Sequence, residues 1–341
     1  MSAGKSRSDQ LATDEDVLGL VSLNSPTEER NPRTVDIDVL STLDLVALIN
    51  DEDGAVMTAV EGVRETLANT VDAAVETITA GGRVHYFGAG TSGRLGVLDA
   101  VELLPTYAVG TEWFEAHIAG GVDAMFRAAE GIEDRPESGR VDAADVRRGD
   151  LVIGIAASGR TPYVAGAFDV ADERGARTAL VSSNPFAELA PRVEFAILLD
   201  TGPEVITGST RMKAATAQKI VLNTFSTATM IKLGKTYSNL MIDVLPTNKK
   251  LRARIIRLLV QATGIEPGRC EGILIQADGD IKVALLVLLQ ERDAQPMRPA
   301  DATIVDRVST ARDALKRSGG IIRNAKALLD AETTQDSIEA Q

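Results

Sequence analysis

Residues 83–106 read RVHYFGAGTSGRLGVLDAVELLPT, and this stretch decides the fold. RVHYFG (83–88) reads as a strand, GAGTSG as a turn of glycines and hydroxyls, and the run that follows as a helix. Strand, tight turn and helix in succession open a βα unit. Outward from it the pattern repeats. Further strands are expected at 113–119, 150–157, 178–182 and 195–199, with helices at 123–131, 162–174 and 209–233. On the other side, 39–80 reads as helical, with Ser41 as an N-cap and a longer helix over 55–80 that stops at Gly81-Gly82. From 251 onward the pattern is all-helical, in two compact pieces at 266–289 and 300–329. Residues 1–34 are polar and proline-punctuated, and 333–341 is expected to fray. Alternating strands and helices imply an α/β fold, a doubly wound parallel sheet with helices on both faces. N-terminal helices and a helical C-terminal module flank it. Three segments are expected: 1–58 (polar start and helix), 59–263 (sheet domain) and 264–341 (helical module and tail). The pattern does not order the strands.

Composition narrows the class. Hydrophobic residues are 44% of the 341 but aromatics only 4%, so the core is built from Ala, Val, Leu and Ile, which suits a sheet covered on both faces. A net charge of −13 argues against a nucleic-acid partner, because no basic excess is present to displace counterions. Cys270 is the only cysteine, which excludes a disulfide within the chain, and with His85 and His117 as the only histidines no metal site is expected. No apolar run reaches the roughly 18 residues of a membrane span, and the N-terminus lacks a signal-peptide core, so the expected location is the cytoplasm and no membrane partner is expected.

Four strand-to-helix turns carry the candidate chemistry. In Gly88-Ala89-Gly90-Thr91-Ser92-Gly93-Arg94, glycines permit close approach and positive φ, hydroxyls add donors, and a helix N-terminus favours an anion. The third glycine of a dinucleotide fingerprint is missing, and a simple capped turn fits equally well. A second turn, Ala157-Ser158-Gly159-Arg160-Thr161-Pro162, has the same build, and two such loops in one sheet can converge on one ligand at the carboxyl edge. The third, Thr207-Gly208-Ser209-Thr210-Arg211-Met212-Lys213, again puts hydroxyls at a helix start, with Lys213 read as helix packing. The fourth is Ser182-Ser183-Asn184-Pro185. Thr91, Ser92, Gly93, Ser158, Gly159, Thr161, Asn184, Ser209 and Thr210 are therefore the candidate residues for holding an anionic ligand. His85 reads as a core histidine, and Trp113, Tyr107 and Cys270 as packing.

Together these loops resemble the SIS (sugar isomerase) domain. The likeness extends further: TEERNPRTVDID, INDED, GAGTSGRLGVLDAVELLPT, IAGG, EGIED, GIAASGRTPYV, EVITGSTRMKAATAQK and NLMIDVLPTN, in order from 27 to 248, are similar to the N-acetylmuramic acid 6-phosphate etherase family. Where that family more commonly reads LDASECPPT, this chain has LDAVELLPT, which keeps the acid and makes its neighbours more apolar. The C-terminal part resembles the family's helical tail, which includes a small three-helix module of ubiquitin-associated type.

The resemblance implies a homodimeric enzyme that uses no cofactor. It would take a sugar phosphate and water, and cleave the lactyl ether at C3 by elimination and hydration through an α,β-unsaturated aldehyde. It puts the acid/base residue at Glu102 and a second carboxylate at Glu133; from composition alone both would read as solvated helix glutamates. Glu102 follows the first loop and is expected near a sugar held there, with Val101, Leu103 and Leu104 raising its pKa. Two rivals share the fold: an aldose–ketose phosphate isomerase, and a non-enzymatic sugar-phosphate regulator resembling the glucokinase regulatory protein.

Overall fold

The computed structural model describes residues 25–243, 249–293 and 303–339, with side chains as far as 332. The polar start to residue 24, the last five residues of the NLMIDVLPTN motif and the last two residues of the chain lie outside the described residues.

Five parallel strands form the sheet: β1 (Val84–Gly88), β2 (Phe114–Ile118), β3 (Leu151–Ile155), β4 (Arg177–Ser182) and β5 (Phe195–Leu198), in the order β2-β1-β3-β4-β5. The register pairs Gly88 with both Ile118 and Ile155, so the carboxyl ends of β2, β1 and β3 lie level. The chain leaves β1 toward β2 at one edge, then returns to β3 on the other side. In such a sheet the carboxyl ends of β1 and β3 flank the switch point, where doubly wound folds bind ligands.

Alternation along the strands sends side chains to two cores. On one face Val84, Tyr86, Ile153 and Val181 meet α1 (Thr42–Gly62), α2 (Arg64–Thr79), α3 (Gly90–Tyr107) and α7 (Lys213–Lys232). On the other, Phe87, Val152 and Leu180 meet α6 (Pro162–Arg174), beside α5 (Pro136–Asp142). Helices on both faces were expected, but several bounds differ. The long helix over 55–80 is two: Val63, at φ −104° and ψ 7°, ends α1 and precedes α2. The helix expected over 123–131 is only α4 (Asp123–Phe126), because Arg127 is extended. The helix expected from 209 begins at Lys213, after a turn that holds Ser209 and Thr210.

A third core is mainly helical. It joins α8 (Lys249–Thr263), α9 (Pro267–Gln276), α10 (Ile281–Asp293), α11 (Ile304–Arg317) and α12 (Ile322–Glu339) around residues such as Leu259, Leu286, Leu315 and Leu329. Thr303 starts α11 with a reciprocal capping box to Asp306. A short hairpin, β6 (Thr236–Tyr237) and β7 (Leu240–Met241), leads into this core. In packing, α8 joins the core of the helices that follow it, and α1 joins the core on the sheet. The backbone of 333–339 continues α12 where fraying was expected. Among the described residues no helix is long and apolar enough to cross a membrane.

Candidate functional site

All four loops lie at the carboxyl edge, and a thread of hydrogen bonds ties them together. Asn184 Nδ2 donates to the Ser158 carbonyl (3.1 Å), and Asn184 Oδ1 accepts from Phe186 N (2.9 Å). Ser183 Oγ donates to the Ala214 carbonyl in the first turn of α7 (3.4 Å). From the second turn of α7, Gln218 Oε1 accepts from Ser92 Oγ (2.9 Å) in the first turn of α3. Asn184 therefore holds the Ser158 loop in place. The hydroxyls of Thr91, Ser158, Thr161, Ser209 and Thr210 make no hydrogen bond within the described chain and remain available to a ligand.

The two candidate glycines have distinct reasons. Gly159 has φ +70°, and a Cβ there would stand 2.2 Å from Ala187 Cβ and 2.7 Å from Ser182 Oγ. Gly93 lets α3 close on β1, since its Cβ would meet the Gly88 carbonyl oxygen at 2.5 Å. The GAGTSGR stretch is thus scarcely a loop: α3 starts at Gly90, and Thr91 and Ser92 sit in its first turn, where helix N–H groups favour an anion. Thr161 is the N-cap of α6 but does not cap it with its side chain.

Sequence reasoning gave no role to a buried ionic cluster behind these loops. Glu52 of INDED is buried; it accepts from Asn31 Nδ2 (2.7 Å), Lys213 Nζ (2.9 Å) and the Arg33 guanidinium. The hydrogen bond from Arg33, reinforced by Lys213 and Asn31 against the cost of burial, holds the Glu52 carboxyl down at about 2. Lys213, read as packing, is fully buried with its ammonium on Glu52. Glu204 accepts from the backbone N–H of Lys213 (2.9 Å) and Ala214 (3.0 Å), so it occupies the positive end of α7, and burial pushes its carboxyl upward. Ser209 and Thr210 lie in the turn before that end and do not cap it. Thr34 Oγ1 on the Val205 carbonyl (2.9 Å) and Gly208 N on the Thr27 carbonyl (3.2 Å) bind the TEERNPRT segment across the third loop. Gln218 was also missed: its Nε2 is buried without a partner beside Ser92.

The two candidate catalytic carboxylates stand in different places. Glu133 is half-buried in the turn before α5, and its carbonyl accepts from Tyr163 N (2.9 Å), which fixes it beside the first turn of α6 and the Ser158–Thr161 loop. Glu102 is exposed on the outer half of α3. Ten residues of that helix separate it from Ser92, about 15 Å at 1.5 Å per residue. That exceeds the span of a hexose phosphate from phosphorus to C3, so Glu102 does not stand near a sugar held by its own chain's first loop. Its apolar neighbours do not enclose it either: Leu98, Val101 and Leu104 are 51%, 62% and 54% exposed, and only Leu103 is buried. Asp99 faces inward instead, accepting from Tyr86 Oη (3.0 Å), Asn223 Nδ2 (2.8 Å) and Ser226 Oγ (3.0 Å), and burial raises its carboxyl.

A model of the glucokinase regulatory protein N-terminal SIS domain matches residues 66–172. A phosphoheptose isomerase structure from Francisella tularensis aligns with a TM-score of 0.44 at 15% identity, over 56% of this chain and 98% of that one. Similarity in sequence goes much further. N-acetylmuramic acid 6-phosphate etherase from Thermobifida fusca is 55% identical over 267 residues, covering 78% of this chain and 88% of that one. The enzyme of that name from Brucella anthropi is 48% identical over 301 residues, 88% of this chain and 94% of that one. At such identity over nearly the whole of these relatives, the chain belongs to the N-acetylmuramic acid 6-phosphate etherase family.

Proposed function

We propose that the chain is a carbon–oxygen lyase that cleaves the D-lactyl ether of N-acetylmuramic acid 6-phosphate, giving N-acetylglucosamine 6-phosphate and D-lactate. The observation that carries this reading is the threaded set of free hydroxyls at the β1/β3 switch point, in a chain of this family. Thr91, Ser92, Ser158, Thr161, Ser209 and Thr210 bind the phosphate and sugar hydroxyls, Gly93 and Gly159 allow the backbone its close packing there, and Asn184 positions Ser158.

The chemistry follows from the substrate. Ring opening makes C1 an aldehyde and the C2 proton acidic. A carboxylate removes that proton, the C2=C3 bond forms, and the C3–O bond breaks as the departing lactate oxygen takes a proton. Water then adds its hydroxyl to C3, and a proton returns to C2. A positioned carboxylate on each side of these steps supplies the acid and base. We assign proton transfer to Glu102 and a supporting role in ring opening or water addition to Glu133.

The distance along α3 shapes the assembly. Glu102 reaches a sugar only if it serves a second copy's loops, and the exposed strip Leu98, Val101 and Leu104 gives α3 an apolar face for that copy. Leu43 and Val46 expose further apolar surface on α1, which packs with α3 against α7. The working unit is thus a homodimer in which the partner subunit's Glu102 completes each site and its apolar surroundings exclude water.

The test is lactate release by purified protein from N-acetylmuramic acid with and without its 6-phosphate. Release that depends strongly on the phosphate is expected. No lactate from the phosphorylated sugar overturns the lyase reading, and equal kcat/KM for the two sugars overturns the phosphate cradle.

A further inference from the structure

A second constellation lies outside this site, on the sheet face opposite α3. Glu115 and His117 are two apart on β2 and share a face, and parallel register puts Glu115 beside His85 on β1. The three residues offer ligand atoms that all lie within 4.8 Å of one another. His85 Nδ1 is 3.3 Å from His117 Nε2 and 3.8 Å from Glu115 Oε2. A tetrahedral zinc ion with bonds of about 2.0–2.1 Å holds its ligand atoms roughly 3.3 Å apart.

The surroundings match a metal site's supports. His85 is fully buried, and its Nε2 stands 3.3 Å from Asp150 Oδ2 without an aligned hydrogen bond. Asp150 is itself pinned, accepting from the backbone N–H of Arg83 (2.8 Å) and Arg147 (2.8 Å). A carboxylate only accepts, so it favours the proton on His85 Nε2 and turns the Nδ1 lone pair toward His117; a carboxylate behind a ligating histidine is the usual outer support of zinc. Phe87 stacks on His117 at 4.4 Å between centroids and sets its ring plane. Without an ion, His117 Nε2–H can fill the gap to His85. An ion would take that place, with the His117 proton moved to Nδ1. Arg83 Nη1 on Glu115 Oε2 (2.9 Å) opposes a second cation, while Asp150, Asp142 and Asp145 around the pair favour one. Glu115 and His117 are half-buried on an edge strand, which leaves an entry path and room for a water as fourth ligand.

We propose that His85, His117 and Glu115 form a binding site for one zinc-class divalent ion, a clip between β1 and the edge strand β2 that takes no part in the lyase chemistry. The inference stands apart from the functional reading above, since it uses none of the carboxyl-edge residues.

The test is titration of the chelator-treated full-length protein with zinc, followed calorimetrically and by thermal melting, and with cobalt, followed by visible absorption. One ion per chain with micromolar or tighter affinity is expected, together with a rise in Tm and a tetrahedral cobalt spectrum. His117→Asn and Glu115→Gln, both at half-buried positions, should each weaken binding by at least about tenfold and abolish the cobalt spectrum. No zinc binding by the wild type at micromolar concentration overturns the site. So does equal binding by the wild type and both variants, which would put the ion elsewhere.

Discussion

Glu133 and Glu102 are the two carboxylates of the proposed chemistry, and the fold treats them differently. Glu133 is held by the backbone: its carbonyl takes the Tyr163 N–H, so it travels with the Ser158–Thr161 loop. Glu102 stands on a bare helix face, far along α3 from that helix's first turn, among apolar side chains that nothing among the described residues covers. The difference teaches that, on the proposed reading, a single chain supplies the phosphate cradle but only part of the acid–base pair, and that its own exposed face would deliver the rest to a second copy.

The sharpest way to break this contrast is at the two acids. Glu102→Gln should lower kcat by about 10²–10⁴ while leaving sugar-phosphate binding intact, the usual worth of a general acid–base group. Glu133→Gln should cost less. If Glu133→Gln is the more severe variant, the two roles exchange.

A third glutamate sharpens the comparison, because Glu52 has everything Glu102 lacks. It is buried, and it accepts from Arg33, Asn31 and Lys213. Lys213→Met strips a partner from a buried charge and should destabilise the fold by about 3–5 kcal/mol in denaturant melts. A loss under about 1 kcal/mol would mean that Arg33 and Asn31 suffice. The acid side carries a signature. The Glu52 carboxyl sits at about 2 in the fold against 4.5 as the ordinary value, so its stabilisation is complete above 4.5 and is lost as pH falls toward 2. Glu52→Gln should remove that part of the acid-unfolding curve, and an unchanged curve would contradict the assignment.

The apolar face of α3 gives a smaller effect. Val101→Lys puts a charge on a 62% exposed position, so the fold should persist. Dimer mass by sedimentation and lactate release should fall together, by about tenfold or more at assay concentration. A fully active monomer would return Glu102 to its own chain's site. Smallest of all, Thr161→Ala removes one hydroxyl contact and should raise KM by about three- to tenfold with kcat little changed. No change in KM would leave that hydroxyl outside the cradle.

Much of this was legible in the residues. RVHYFG and DLVIGIAA are short apolar runs followed by glycine and hydroxyl turns, and each became a strand feeding a helix. The loops converge because parallel strands put every such turn at one edge. What the pattern hid depends on three-dimensional partners. Glu52, Arg33 and Glu204 look like solvated charges in sequence and Lys213 like helix packing, and only the packing of TEERNPRT beside the third loop brings Asn31 and Arg33 onto the buried Glu52. Gln218 carried no signal beyond its place in TAQK, since its meaning comes from facing Ser92 across two helices. His85, His117 and Glu115 are up to 32 residues apart and meet only through strand register. Helix ends failed where one backbone angle decided them, at Val63 and Arg127. The apolar neighbours of Glu102 were plain in the sequence, but an amphipathic stripe does not say whether it faces the chain's own core or another copy's.

Subunit mixing tests the central claim most directly. Glu102→Gln and Glu133→Gln homodimers, each impaired, are mixed, dissociated and reassembled. If Glu102 acts across the interface, every mixed dimer regains one site with both acids intact, so lactate release should recover to about a quarter of wild type at statistical exchange. If both acids of a site come from one chain, no mixed dimer has an intact site, and activity no higher than that of the separate variants would contradict the account.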